Sequence, residues 1–381
     1  MSITKQSRVQ VPWWNTEFGE KEIDAVGRAI SSRQISQGSL TVEFEERLAS
    51  LLGAEHVIAA SNGSIALLMA LMALEVGVGD EVLVPNRSWI ATLHAVIMTG
   101  ATPVLVDVRE DKPLLDESQL EKGISERTKA VIPVHLNGRS ANVGYLNHLA
   151  GKYGFAVIED AAQALMSKNM NETLGTMGKI GCFSLSMAKI ISTGQGGFLT
   201  TNSDVIAERL RLIRTQGVEN VQDPDTWGEF PGLNFRFTDL QASIGLVQAE
   251  QLPKRIEKVS AIYQEYKVGL ENCESIEMVP VAVEQGEIPL YIEILCENRK
   301  QLMAHLKFRG IETRPAVPNL NRAKYLKQRA SSFPRSDRFE KCGLTLPSGP
   351  GQKLRDIRFV IQCIKNYVDR RVPFVPTPSD C

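Results

Sequence analysis

The sequence predicts an α/β fold in which a mainly parallel sheet is covered by helices on both faces. Between about residues 20 and 250, short apolar runs typical of strands alternate with helix-like segments. Each run ends at a polar or glycine-bearing loop, and a chain of 381 residues with 43% hydrophobic residues can bury a sizeable core. Because ligands collect at the carboxyl ends of strands in open α/β sheets, the residues directly after these runs are the candidates for a functional site.

The predicted strands and helices of this first region follow one another in a regular order. A strand at 56–60 precedes an apolar helix at 64–74, and a strand at 81–85 precedes a helix at 91–100. Further strands are expected at 102–108, 129–135, 155–160 and 197–202.

The alternation of strand-like and helix-like segments ends near residue 251, where a long amphipathic helix is expected over 251–273. We therefore predict a large domain at 1–250 and a smaller C-terminal α+β domain at 251–381. In the second domain we expect a strand, a helix, a strand, a loop region with short helices and a final helix, at 291–297, 299–310, 311–315, 318–352 and 356–368.

Charge and composition exclude several function classes. The net charge is −1, from 43 basic and 44 acidic residues, which gives no electrostatic surface for nucleic acid or an anionic membrane. No leader-like apolar segment and no membrane-spanning run is visible, so a cytoplasmic protein is expected. The six cysteines lack metal-ligand spacing, which predicts reduced thiols and no metal site.

The first site candidate is the SNGS stretch at 61–64, between a strand and a helix. Gly63 permits close backbone approach, Ser64 supplies a hydroxyl, and free N–H groups at a helix start favour an anion such as phosphate. Ser and Asn also cap helices where no ligand is present, and this alternative stays open.

The second candidate is Asp160, directly after the apolar run FAVIE. A buried carboxylate needs a partner, and a protonated ring nitrogen would be one. Gln163, about one helical turn further on, would reach another polar atom of the same ring. Simple helix capping by Asp160 is the alternative.

The third candidate is Lys189, with Ser184 five residues before it and a glycine cluster after it. Desolvation at a strand end lowers the pKa of a lysine and makes it a nucleophile able to form a Schiff base. Gly194, Gly196 and Gly197 would let the next backbone segment turn tightly under a bound ring. A solvated surface lysine is the ordinary alternative.

Together these candidates supply the parts of a pyridoxal 5'-phosphate (PLP) site: an anion cradle, a carboxylate, a hydroxyl and a Schiff-base lysine. Trp89 adds a flat apolar face that would stack on the ring, or would simply pack in the core. A dinucleotide site is disfavoured because no G-x-G-x-x-G follows the first strand.

Six ordered motifs resemble the nucleotide-sugar aminotransferases of the DegT/StrS type, which are PLP enzymes of fold type I, over nearly the whole chain. They are QGSLTVEFEERLASLLGAEHVIAASNGSIAL, DEVLVPNRSWIATLHAVIMTGATPVLVDV, SERTKAVIPVHLNG, VIEDAAQA, GCFSLSMAKIISTGQGGFLTTN and LNFRFTDLQASIGLVQAEQL. The resemblance implies the three-layer αβα transferase fold, PLP as cofactor and a homodimer with shared active sites.

By position, the resemblance also assigns roles to individual residues. Lys189 would form the Schiff base, Asp160 would pair with the pyridine nitrogen, Gln163 would bond the ring hydroxyl and Trp89 would lie against the ring. Phosphate would be held by Gly63, Ser64 and Ser184, joined by Asn234 of the neighbouring subunit. Arg236 and Arg314 are expected in the substrate pocket.

The chain departs from the common family pattern at a few positions. It has SNGS for SNGT, GQGG for GEGG and VHLNG for VHLYG, and SLSMAK lacks the Phe that often follows the serine. These changes would alter the substrate pocket and leave the catalytic set intact.

The implied reaction is transfer of an amino group from L-glutamate to a keto-sugar nucleotide in amino-sugar or lipopolysaccharide O-antigen biosynthesis. A short C-terminal likeness to perosamine synthases favours a GDP-4-keto-6-deoxyhexose. Lys189 argues against the dehydratase subgroup, which has histidine at this position. A ketocyclitol or small phosphorylated ketone as acceptor, or a PLP-binding regulatory protein without turnover, are the alternatives.

Overall fold

The structure is a computed structural model that describes residues 10–33, 35–219, 228, 230–326 and 332–369. Its main sheet has seven strands in the order β1-β9-β8-β5-β4-β2-β3. The pairs from β8 to β3 are parallel, and β9 runs antiparallel to both β8 and β1. The strands, with the short hairpin β6 and β7, are β1 (His56–Ala60), β2 (Glu81–Pro85), β3 (Thr102–Val106), β4 (Thr128–Val131), β5 (Ala156–Asp160), β6 (Lys168–Asn169), β7 (Glu172–Thr173), β8 (Ile180–Ser184) and β9 (Gly197–Thr201).

Helices cover both faces of this sheet, because alternate strand residues point to opposite sides. Ile158 packs with α3, α4 and α7 on one face, whereas its neighbour Val157 packs with α6 on the other. The predicted α/β fold with a mainly parallel sheet is confirmed. The helices of this region are α1 (Glu20–Ser31), α2 (Ser39–Leu52), α3 (Gly63–Ala73), α4 (Ile90–Met98), α5 (Glu117–Leu120), α6 (Val143–Tyr153), α7 (Asp204–Arg214) and α8 (Asp239–Glu250).

Two details of the main sheet differ from the sequence-based expectation. The strand expected at 129–135 ends at Val131, because Pro133 has no N–H to continue the ladder. The strand β8, which ends five residues before Lys189, was not among the predicted strands.

A second sheet of four antiparallel strands lies in the C-terminal part, in the order β10-β11-β13-β12. The expectation of loops and short helices at 318–352 was wrong for Gly343–Leu346, which forms a central strand of this sheet. Four residues are too few for a period to be recognised in sequence. The elements are α9 (Leu252–Leu270), β10 (Glu277–Met278), β11 (Ile292–Leu295), α10 (Arg299–Phe308), β12 (Arg314–Pro315), α11 (Pro334–Cys342), β13 (Gly343–Leu346) and α12 (Leu354–Asp369).

The two sheet regions are joined by α9 and by the N-terminal segment. Val259 of α9 packs in the core of the main sheet, whereas Tyr266 of the same helix packs against the second sheet. Near the other end of the chain, Val11 forms a parallel bridge with Ile311. The division at residue 250 remains our proposal.

Two features of the described residues concern membrane crossing and metal binding. None of the helices resolved in these ranges is both long and apolar enough to cross a membrane. Within the same residues, no group of three or more His, Cys, Asp or Glu side chains is arranged to hold a metal ion.

Candidate active site

The candidate site lies where the carboxyl ends of β5 and β8 meet the N-terminal ends of α3 and α4. Because β5 and β8 are parallel neighbours, Asp160 and Ser184 end their strands at the same edge of the sheet. Gln163, Ser184 and Lys189 line one small cavity at this edge, together with Ala162, Leu165, Ile190, Ile288 and Leu290.

Asp160 is a buried carboxylate with two hydrogen-bond donors. The Thr92 hydroxyl donates to Asp160 Oδ2 at 2.8 Å, and the Ala162 N–H donates to Asp160 Oδ1 at 3.2 Å. Burial raises the pKa of the Asp160 carboxyl, and the two hydrogen bonds and the nearby Lys189 charge oppose that rise. No helix begins here, so Asp160 does not act as a helix cap, and Gln163 lies in a turn instead of one helical turn along.

Lys189 lies in the turn that follows β8, which we call the Lys189 turn (residues 185–191). Several hydrogen bonds hold its backbone, among them three at residues 187–189. The Lys189 N–H donates to Ser186 O at 3.1 Å, Tyr291 Oη donates to Ala188 O at 2.6 Å, and Thr16 Oγ1 donates to Met187 O at 2.9 Å. The main-chain path of the lysine is therefore held by the N-terminal segment and by the second sheet region.

Lys189 is half-buried, and its amine is crowded by protein atoms. Burial lowers its pKa to about 8, although the charge of Asp160 acts in the opposite direction. At pH 7 about a tenth of an amine with this pKa is uncharged, far more than for an ordinary lysine, and the uncharged amine is the nucleophilic form. A solvated surface lysine would not have this property.

The start of α3 and the end of β8 form an anion cradle. A Cβ added to Gly63 would lie 2.8 Å from Ser184 Cβ and 3.2 Å from Ser184 Oγ, so only glycine allows this approach. The Asn62 side chain caps the helix by accepting the Ile65 N–H at 2.9 Å. The N–H groups of Gly63 and of Ser64, whose side chain is exposed, come earlier in this first turn, and such groups have no partner within the helix.

The glycines after Lys189 place β9 against the same cradle. A Cβ on Gly197 would lie 2.6 Å from the Gly63 nitrogen, which excludes any side chain there. Gly194 has a φ of +82°, a left-handed conformation that glycine adopts without strain. The Gln241 side chain donates to Gln195 O at 2.6 Å and holds this loop from α8.

Trp89 lies near the same edge of the sheet. It precedes α4 and is 58% exposed, so its ring does not pack in the core. Three residues later, Thr92 contacts Asp160. The ring is therefore available to a ligand bound beside Asp160.

The remaining predicted residues do not line this cavity. Asn234 is exposed, and Arg236 Nη1 approaches its side-chain oxygen at 3.5 Å. Arg314 Nη2 donates to Glu312 Oε1 at 2.7 Å, and its guanidinium lies 5.5 Å from the ring of Trp13. Trp13 in turn lies 5.3 Å from Tyr291, which connects Arg314 to the Lys189 turn through two aromatic rings.

These residues fit PLP. The helix start and Ser184 offer donors for a phosphate, in a cradle that only glycine at position 63 permits. Asp160 keeps acceptor capacity for a protonated ring nitrogen, and Lys189 offers an amine whose pKa is lowered to about 8. Three chemically different requirements are met at one edge of the sheet.

Several residues of the site were missed in the sequence. Thr92 gives a weak signal, as a polar residue on the buried face of an otherwise apolar helix. Tyr291 and the pair His135 and Glu159 gave none, because their partners are distant in sequence or buried behind the site.

Comparison with known proteins gives concordant matches. Residues 16–365 match the DegT/DnrJ/EryC1/StrS aminotransferase family. The chain is 35% identical to a GDP-perosamine synthase from Caulobacter vibrioides, over 86% of this chain and 90% of that protein. It is 32% identical to a dTDP-3-amino-3,4,6-trideoxy-alpha-D-glucose transaminase from Streptomyces venezuelae, over 91% of this chain and 92% of that protein. The solved structure of DesV from S. venezuelae superimposes with a TM-score of 0.85 at 31% identity, over 92% of this chain and 94% of that one. The expected family resemblance and fold type I are thus confirmed.

Proposed function

Because this chain belongs to the DegT/DnrJ/EryC1/StrS aminotransferase family, we propose that it transfers an amino group from L-glutamate to a nucleotide-linked keto-sugar. The chain is a PLP-dependent aminotransferase, as its family membership shows. The names of two relatives, one acting in the GDP series and one in the dTDP series, support a nucleotide-sugar acceptor. We propose an NDP-4-keto-6-deoxyhexose as the amino-group acceptor, and the GDP-linked sugar is the first candidate.

The observation that carries the proposal is that a half-buried lysine with a lowered pKa and a buried carboxylate lie at the same edge of the sheet. Burial lowers the pKa of Lys189 to about 8 and raises the pKa of Asp160, and the charge of each group acts against the shift of the other. In a purely structural ion pair, the two charges would fill each other's hydrogen-bonding positions. Lys189 and Asp160 instead retain capacity to bind a ligand.

We assign the cofactor contacts residue by residue. The Gly63 and Ser64 amides and the Ser184 hydroxyl hold the phosphate, Asp160 faces the ring nitrogen, Gln163 faces the ring oxygen and Trp89 covers one face of the ring. When bound, PLP supplies an electrophilic aldehyde carbon and a ring that accepts electrons.

Lys189 Nζ is the base and acid of the reaction in this proposal. Its pKa of about 8 is close to the working pH, so the amine can take a proton from a substrate carbon and return it. The bonds from Tyr291 and Thr16 to the Lys189 turn limit the positions that this amine can reach. Asp160 remains an anion and stabilises a proton on the ring nitrogen.

A second copy of the chain completes the site. In this proposal the enzyme is a homodimer, Asn234 of each subunit reaches the phosphate bound by the other, and Arg236 and Arg314 contact the acceptor. The exposure of Asn234 in the single chain supports such a role, since its side chain is free to meet another surface. Amino-sugar synthesis for a surface polysaccharide such as an O-antigen is the proposed pathway.

The test is an amination assay with the purified PLP-loaded protein. GDP- and dTDP-linked 4-keto-6-deoxyhexoses, a ketocyclitol and a small phosphorylated ketone are offered with L-glutamate, and the aminated product is measured by mass spectrometry. We expect product from a nucleotide sugar, none with Lys189→Ala, and wild-type rates with Lys129→Ala, which replaces an exposed lysine.

The other outcomes identify the alternatives. Product only from the cyclitol or the phosphorylated ketone would reject the nucleotide-sugar acceptor and keep the transaminase. A cofactor absorbance band that no amino donor changes, with no product from any acceptor, would indicate a regulatory PLP-binding protein.

A further inference from the structure

The side chain of Gln163 accepts a hydrogen bond from Asn137, which lies in the segment between β4 and α6. The Asn137 backbone N–H donates to Gln163 Oε1 at 2.9 Å. A backbone N–H can only donate, so the oxygen of the Gln163 amide faces Asn137, and its NH₂ group is the end that remains for other partners. Gln163 also lines the cavity that contains Lys189. The contact therefore decides whether Gln163 offers that cavity a donor or an acceptor.

Asn137 makes this contact from an unusual backbone conformation. Its φ of +57° and ψ of +31° are left-handed, a region that Asn tolerates better than most residues with a side chain. The next residue, Gly138, is also left-handed, and a Cβ there would lie 1.8 Å from Ile288 O. The direction of the Asn137 N–H thus depends on a turn that packs closely against the backbone near residue 288.

The Asn137 side chain fixes the same turn to the second sheet. Its Nδ2 donates to Glu293 Oε2 at 2.9 Å, and the same oxygen accepts a bond from Arg139 Nη1 at 2.9 Å. The Arg139 guanidinium also donates to Pro280 O and to Val279 O. Arg139 and Glu293 are fully or almost fully buried. This anchor is rigid because each buried ion is paired and hydrogen-bonded.

We propose that Asn137 is a positioning residue, which holds Gln163 with its NH₂ end toward the cofactor and connects that orientation to the buried Arg139–Glu293 pair. The proposal rests on the proposed role of Gln163 at the cofactor. An NH₂ group suits the anionic ring oxygen of PLP, because a hydrogen bond to a charged acceptor is stronger than one to a neutral acceptor. A Gln163 free to rotate would present its carbonyl oxygen part of the time, and PLP would bind more weakly.

The test is a double-mutant cycle on PLP binding, which needs no sugar substrate. Apo-protein of the wild type, Asn137→Ala, Gln163→Ala and the double variant is titrated with PLP, and both the Kd and the wavelength of the visible band are measured. We expect Gln163→Ala to raise the Kd about tenfold and Asn137→Ala about fivefold, with a shifted band in each. In the double variant the Kd should match that of Gln163→Ala, because Asn137 acts only through Gln163.

Two further variants separate positioning from a general structural role. Asn137→Gly keeps the left-handed turn and the N–H but removes the side-chain anchor, so it serves if the alanine variant does not fold, with an expected two- to threefold rise in Kd, about half of the alanine effect on a logarithmic scale. Glu287→Gln is the matched control: this buried carboxylate accepts the N–H groups of Ser140 and Ala282 near the same turn without contacting Gln163. It should lower the Tm of the apo-protein and leave the Kd of PLP unchanged.

The outcomes that overturn the proposal are distinct from a failure of the proposed function. If the effects of Asn137→Ala and Gln163→Ala on the Kd multiply in the double variant, Asn137 does not act through Gln163. If Gln163→Ala changes neither the Kd nor the band, Gln163 is not at the cofactor and the proposal falls with it. A normal cycle combined with no product in the amination assay would reject only the acceptor.

Discussion

Glu159 and Asp160 are neighbouring buried carboxylates at the end of one strand, and they have opposite surroundings. Because strand residues alternate, Glu159 points to the face behind the sheet and Asp160 to the face of the site. Glu159 accepts four hydrogen bonds, three from the N–H groups of residues 175, 177 and 178 and one from His135 Nε2. Asp160 accepts two, from Thr92 and Ala162.

The difference in donors separates a carboxylate whose acceptor positions are filled from one that keeps acceptor positions unused. An ionised carboxylate offers about four lone-pair positions, which the partners of Glu159 fill. The Ala141 N–H donates to His135 Nδ1, so the His135 proton is on Nε2 and points at Glu159. Asp160 keeps unused capacity in a buried place, and burial raises its pKa. Unused acceptor capacity at a strand end is the feature that a cofactor would complete.

The largest effect should come from Asp160→Asn, which removes the charge but keeps the shape. We expect kcat of the amination reaction to fall about 10³-fold, because a neutral amide cannot hold a proton on the ring nitrogen. The Tm of the apo-protein should stay the same or rise, since an uncharged side chain has less cost of burial and the Thr92 hydroxyl can accept from the new amide. A large fall in Tm would instead make Asp160 a structural carboxylate like Glu159.

The reverse result is expected of Glu159→Gln. Whichever way the new amide turns, its NH₂ faces at least one backbone N–H, so a buried donor loses its acceptor. We expect the free energy of unfolding to fall by about 3 kcal/mol, measured by urea denaturation. Glu172→Gln, an exposed carboxylate in the hairpin close to the same turn, should change it by less than about 0.5 kcal/mol. An unchanged stability with lost activity would overturn the distinction between the two carboxylates.

The positions whose place in the fold the sequence predicted are those whose surroundings are local. The strand before Asp160, the SNGS turn before α3 and the glycines after Lys189 each lie within a few residues of the group they shape, and the structure brings these segments to one edge. The periodicity of apolar runs was sufficient to place Asp160 and the SNGS turn at the ends of strands and the glycines before the start of one. The assignment of roles to Asn234 and Arg236 came from family resemblance, because nothing in their local sequence distinguishes them.

The features that could not be predicted depend on packing between distant segments. Thr92 bonds to Asp160 across 68 residues, and Tyr291 bonds to the Lys189 turn across 103 residues. The reversed direction of β9 is likewise set by its pairing with β1 and β8, since its apolar pattern would suit either direction. Residue spacing carries no information on such contacts.

The other charged group of the candidate site is the amine of Lys189. Because the pKa of Lys189 is about 8 when folded and about 10.5 when unfolded, the unfolded state binds more protons between these values. The lowered pKa of Lys189 therefore reduces the unfolding free energy of the apo-protein below pH 8, and this reduction disappears as the pH rises to 10.5. Relative to Lys189→Met, the wild type should gain up to about 3 kcal/mol of unfolding free energy from pH 7.5 to 10.5. A constant difference across this range would mean that the amine is solvated.

The smallest effect should come from Thr92→Val, which removes one of the two donors to Asp160. The Thr92 bond lowers the pKa of Asp160, so its loss should raise that pKa further and move the acid limb of the kcat/KM profile to higher pH. We expect kcat/KM near neutral pH to fall about five- to tenfold, the effect of one hydrogen bond to a charged group. Thr92→Ser keeps the hydroxyl and should restore both values. If Thr92→Val leaves the pH profile of kcat/KM unchanged, the Ala162 N–H and the cofactor are sufficient to keep Asp160 ionised. Asp160 then has more unused hydrogen-bond acceptor capacity than the comparison with Glu159 suggests.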